Sequence, residues 1–160
     1  VTPDNFTPIH DTLIPLGTPG PVKNNPGVDF TTPTEVGKNV ENFSNEQIKF
    51  ANGFDFNWVL NTYKDGKGDD TKVAASVVSP ETGIKLEVFT NEPGIQVYSG
   101  NFLNGKITGK NGKVYEKHAA ICLESQHFPN APNQPEWPSA ELKPGQTYKS
   151  HCIFKFSVEK

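Results

Sequence analysis

GFDFNWVLN, residues 53–61, decides how this chain folds. Phe54, Phe56, Trp58 and Leu60 alternate with Asp55, Asn57 and Asn61, the pattern of a β-strand with one face in a core and the other wet. Downstream, Lys72–Ser79, Ile84–Thr90 and Ile95–Ser99 read as further strands separated by SPETG and NEPG, both strong turn sequences. Connections this short predict an antiparallel meander. His118–Glu124 and Thr147–Val158, the latter after the turn KPGQ, complete the strands, and the glycine- and lysine-rich Gly105–Lys113 reads as a loop. Asp65–Asp70, DGKGDD, resembles a calcium loop only superficially: it lacks the glutamate and flanking helices of an EF-hand and reads as a solvated hairpin tip.

Upstream of residue 53 the chain is extended and turn-rich as far as Pro33. Ser44–Phe50 is the best helical candidate, with Ser44 and Gln47 spaced as a capping box over about two turns. Fourteen prolines would interrupt long helices but suit loops between short strands. The 34% hydrophobic content is below an average of roughly 45–50%, and 14 glycines alongside the prolines place the deficit in turns. No internal repeat or boundary divides residues 1–160, which read as one all-β domain.

Charge and composition exclude several function classes. All 15 basic residues are lysines and the net charge is −3, so the chain has neither arginine forks for phosphate nor a basic stripe for nucleic acid. No apolar run approaches the roughly 18 residues of a membrane-spanning helix. Cys122 and Cys152 form no C-x-x-C pair and read as two buried free thiols of a reducing compartment, which suggests a cytoplasmic protein. NFT and NFS at Asn5 and Asn42 would matter as glycosylation sites only if the protein were secreted. No methionine is present, so Val1 is not expected to be a translational start; the sequence reads as a processed chain or a piece of something longer.

The second informative stretch is ICLESQHFPNAPNQPEWP, residues 121–138. A small apolar run leads to Glu124, after which Pro129, Pro132, Pro135 and Pro138 forbid a continuing ladder. A carboxylate partly desolvated where a strand leaves a core is costly unless something uses or pairs it. Asp55 and Gln96 likewise lie on strands beside aromatic residues. Aromatic surface next to hydrogen-bonding side chains suits a pyranose, with its apolar CH faces and its rim of hydroxyls.

GFDFNWVL, PGIQVYSGNFLNG, GKNGKVYEKHAAICLESQHFPNAPNQPEWPSAELKPGQTY and the opening NFTPIHDTLIPLGTPGPV with VDFTTP together resemble the C-terminal half of the aldose 1-epimerase, or galactose mutarotase, family. The resemblance runs through nearly the whole chain with order and spacing kept. It implies a large antiparallel β-sandwich, the supersandwich, of which this chain would be the C-terminal part, and a free aldohexose such as glucose or galactose as substrate. It further implies that Glu124 is the general base taking the anomeric hydroxyl proton, that Asp55 and Gln96 bind sugar hydroxyls, and that neither cofactor nor metal is required.

Two departures stand out. Phe56 occupies a position where the family usually has histidine. The family's two active-site histidines, one the general acid, and a substrate-binding arginine belong to motifs that precede Val1, and none of His10, His118, His127 or His151 matches them. The resemblance therefore implies a companion N-terminal polypeptide carrying the acid, without which the chain would be inactive. A non-catalytic sugar-binding module is the alternative.

Overall fold

A computed structural model describes residues 3–159. Its strands are β1 (Asn5–Phe6), β2 (Gly20–Pro21), β3 (Asp55–Val59), β4 (Tyr63–Lys64), β5 (Lys67–Gly68), β6 (Ala75–Val78), β7 (Ile84–Thr90), β8 (Gly94–Tyr98), β9 (Cys122–Gln126) and β10 (Cys152–Val158). Five form an antiparallel sheet in the order β2-β1-β3-β8-β9, three form a second in the order β10-β7-β6, and β4-β5 is a hairpin. This is the all-β, antiparallel architecture read from the sequence. The hairpin turns at Asp65–Gly66, within the stretch expected to be a solvated tip.

The alternation in β3 builds the core. Phe54, Phe56 and Trp58 are wholly buried with Phe6, Ile95 and Val88, so both larger sheets contribute to one apolar cluster. Phe6 meets Phe56 edge-on at 6.0 Å between centroids, and Phe56 meets Trp58 at 5.8 Å. Edge-to-face contacts of this kind add roughly 0.5–1.5 kcal/mol to what area burial alone provides. Trp58 also donates its indole N–H to the Val28 carbonyl at 3.1 Å, so its burial leaves no orphan donor.

The helix is α1 (Glu46–Ala51), capped by Asn45 and not by Ser44. The Asn45 side chain accepts from the Gln47 and Ile48 amides at 2.9 and 3.3 Å. Gln47 is unavailable for a capping box because its amide spans to the Ile9 backbone, N at 2.7 Å and O at 3.0 Å. Beyond the helix, buried Asn101 donates to the carbonyls of Ala51 and Phe54 at 2.8 and 2.9 Å, and Ser99 Oγ accepts from the Phe54 amide at 2.9 Å. This network fixes the entry to β3. Gly53, at φ 143°, has no room for a side chain there: a Cβ would lie 2.1 Å from Asn101 Oδ1.

The meander expectation fails at NEPG. β6 and β7 pair as a hairpin, but β8 leaves for the other sheet, between β3 and β9. Pro93 has no N–H to close a hairpin, its carbonyl accepts from the Leu60 amide at 2.9 Å, and Glu92 beside it is buried. The final strand begins at Cys152, five residues later than expected. His151 N is occupied by Asn91 Oδ1 at 2.7 Å, and Tyr148 donates its hydroxyl to Glu92. Likewise β9 begins at Cys122, because His118 adopts a left-handed φ of 62° within a turn, and Ala119 to Ile121 are exposed.

The second sheet has an apolar face running over Leu86, Ile84, Phe154, Phe156 and Val158, which are in register across β7 and β10. It is covered at its Val88–Thr90 end and open at the other, where Phe156 is 68% and Val158 66% exposed. Cys152 on the edge strand β10 is exposed and Cys122 only half-buried, so the two thiols are not the buried pair the sequence suggested.

Candidate functional site

The face of the five-stranded sheet opposite the aromatic core is polar, and the pairing register explains how. Asn57 pairs with Gln96, which pairs with Glu124; Asp55 pairs with Tyr98, which pairs with Cys122; Val59 pairs with Gly94, which pairs with Gln126. Directly paired residues project to the same side with Cβ atoms about 5 Å apart. Asp55, Gln96 and Glu124 thus meet on one face although 69 residues separate the first from the last.

Gln96 Nε2 donates to Asp55 Oδ1 at 2.7 Å. Gln126 Nε2 donates to Gln96 Oε1 at 3.3 Å and to Asn57 Oδ1 at 3.4 Å. Beside these groups lies a cavity of about 60 Å³ floored by Thr7, Asp55, Asn57 and Gln96 and walled by Ile9, Leu13, Pro15 and Pro129. Ligand pockets typically measure roughly 300–1,000 Å³, so the described residues form a polar depression too small to enclose a sugar-sized molecule.

Glu124 lies in the middle of β9, not at its end, and it is exposed. The partial desolvation expected from a strand-to-loop junction is therefore not supplied by the described residues. The four prolines do terminate the ladder, but the first is Pro129, leaving Ser125 and Gln126 free to pair with β8. Burial foremost, then the charges of Glu124 and Asp55, pushes the neighbouring Cys122 thiol up, which keeps it protonated and weakly nucleophilic.

Each histidine is engaged elsewhere. His127 Nδ1 is 2.8 Å from the buried Glu92 carboxylate and its ring packs edge-on to Tyr148, so it neither reaches nor orients Glu124. His151 meets Asp70 at 2.8 Å, His118 Nδ1 meets the Ser99 carbonyl at 2.8 Å, and His10 pairs with Asp11. None of the four histidines bonds to Glu124, Asp55 or Gln96. Trp58 is in the core and Trp137 packs on Phe128, so both tryptophans serve packing. Phe56, at the position where the resemblance expects histidine, faces the core and not the polar side.

Asn57 and Gln126 belong to this face and were not singled out from the sequence. The signal was there: each lies two residues after a predicted site residue, hence on the same side of its strand.

Comparison with known proteins decides the family. A family model described as aldose 1-epimerase matches residues 1–155. The chain belongs to the aldose 1-epimerase family. Human galactose mutarotase is 43% identical over 156 residues, covering 97% of this chain and 42% of that protein. The Escherichia coli K12 aldose 1-epimerase is 36% identical over 121 residues, covering 74% of this chain and 34% of the enzyme. This family member therefore spans about a third to two-fifths of the length of the curated relatives it matches. In those relatives the matched region is part of one longer chain, and they lend no support to a separate companion polypeptide. Among solved structures, the GalM/aldose epimerase homologue from C. elegans superimposes with a TM-score of 0.76 at 25% identity, covering 99% of this chain and 45% of its own. Galactose 1-epimerase from Lactobacillus acidophilus gives 0.75 at 24% identity, covering 99% and 43%, a likeness of fold.

Proposed function

We propose that this chain supplies the general base and part of the sugar cradle of an aldose 1-epimerase interconverting α and β anomers of free aldohexoses such as glucose or galactose. The observation that carries the reading is the convergence of Asp55, Gln96 and Glu124 on one polar sheet face of a member of this family. Glu124 takes the anomeric hydroxyl proton while an acid protonates the ring oxygen; the ring opens, the aldehyde rotates, and closure yields the other anomer. Asp55 accepts from sugar hydroxyls, and Gln96 both accepts and donates. The chemistry is proton transfer and calls for no cofactor.

The acid is assigned to an N-terminal portion outside these 160 residues, because the four histidines here are engaged away from Glu124. That portion would also deepen the shallow cavity and desolvate Glu124. We place the reaction in the cytoplasm. Polarimetry on freshly dissolved α-glucose and α-galactose with the native protein carrying this chain tests the reading: equilibration well above the spontaneous rate is expected, and the spontaneous rate alone refutes it. The exposure of Glu124 favours a second reading, a non-catalytic sugar-binding module, for which calorimetry would register sugar binding without accelerated mutarotation.

A further inference from the structure

We propose that Gln126 is a positioning residue that holds the oxygen end of the Gln96 amide whose nitrogen end Asp55 orients, an inference that deepens the functional reading above and rests on it. Carboxylate oxygens only accept. At 2.7 Å from Asp55 Oδ1, the Gln96 amide must therefore present its nitrogen to Asp55, since the flipped amide would set two oxygens against each other. Its oxygen then faces Gln126, which must supply an N–H, and Gln126 Nε2 lies 3.3 Å away. The other Gln126 N–H faces Asn57 Oδ1 at 3.4 Å, on a residue that is 1% exposed. Both Gln126 donors are spent on protein, leaving it no N–H for a sugar. Gln96, by contrast, keeps its second N–H for a substrate oxygen.

A second observation supports the arrangement. Gly94 lies between Val59 and Gln126 in the register, and a Cβ there would lie 2.3 Å from Asn57 Oδ1 and 2.9 Å from the Phe128 ring. Glycine at this position leaves open the space across which Gln126 reaches Asn57 and Gln96. Polarity thus passes from Asp55 through Gln96 to Gln126, and removing the Gln126 donors leaves the Gln96 oxygen without its partner and the amide held at its nitrogen end alone.

The experiment compares Gln126→Met, which removes both donors at similar size, with wild type in the native protein carrying this chain, each also in a Gln96→Ala background. KM for the aldohexose should rise roughly five- to tenfold with kcat within about twofold, and the rise should vanish in the Gln96→Ala background. An unchanged KM, or the same rise in both backgrounds, overturns the proposal. The Gln96 side-chain amide resonances, recorded without sugar, read the orientation independently of turnover. Their displacement by Gln126→Met supports the proposal, and unmoved resonances overturn it, even where the wild type turns over no sugar and the functional reading itself has failed. Should Gln126→Met not fold, the isosteric Gln126→Glu is read by the same outcomes.

Discussion

The two larger sheets are built alike, yet each shows solvent a different kind of face. On β3, β8 and β9 the outer face is closed upon itself by hydrogen bonds among Asp55, Gln96, Gln126 and Asn57. On β7 and β10 the open face carries Ile84 and Phe154, about half exposed, and Phe156 and Val158, about two-thirds exposed. A polar face left open still has water to bond, and its side chains can be preorganised locally. An apolar face left open has only area to lose, roughly 25 cal/mol per Å².

The sharpest way to break the comparison is at the core behind the polar face. Phe56→Ala should cost about 3–5 kcal/mol of unfolding free energy, measured by urea denaturation; a loss below about 1 kcal/mol would mean that the aromatic ladder does not support the site. Next comes the face itself. Asp55→Ala removes the partner of the Gln96 amide, and KM for the aldohexose should rise roughly ten- to a hundredfold; an unaffected KM would separate Asp55 from sugar recognition. On the apolar side, Phe156→Lys should change the stability of the 160-residue chain by no more than about 0.5 kcal/mol while lowering its self-association in light scattering. Unaltered association would show that this face is not the sticky one.

The smallest effect lies just beyond the β4–β5 hairpin. Lys72 first, then Thr71, holds the Asp69 carboxyl at about 2 against an ordinary 3.8. Because the folded value is the lower, its contribution to stability is present above the ordinary value and is lost as pH falls from 3.8 towards 2. Lys72→Ala should move the Asp69 midpoint upward in an NMR titration, with the remainder of the depression retained through Thr71.

What could be read in advance was whatever depends on period two within one strand. Phe54, Phe56 and Trp58 announced the core, and the partition of Asp55 from them announced a second face. Register was not legible, since it depends on residues far apart: the Asp55–Gln96 bond joins positions 41 apart, and Gln126 acquires meaning only through its pairing with Gly94. The switch of β8 to the other sheet is not legible because NEPG is equally good as a hairpin turn and as a corner, and buried Glu92 held by His127 and Tyr148 decides between them. Glu124 lies within β9 and not at its end, because Ser125 and Gln126 still pair with β8 and Pro129 is the first proline able to stop the ladder. Family resemblance supplied what local pattern could not, a role for that carboxylate.

The central claim is that Glu124 on the polar face is the base. Polarimetric mutarotation of α-glucose by Glu124→Gln in the native protein, with sugar affinity measured in parallel, tests it most directly. The account predicts a rate loss of roughly 10²–10⁴-fold with affinity changed only severalfold; a variant as fast as wild type would contradict it.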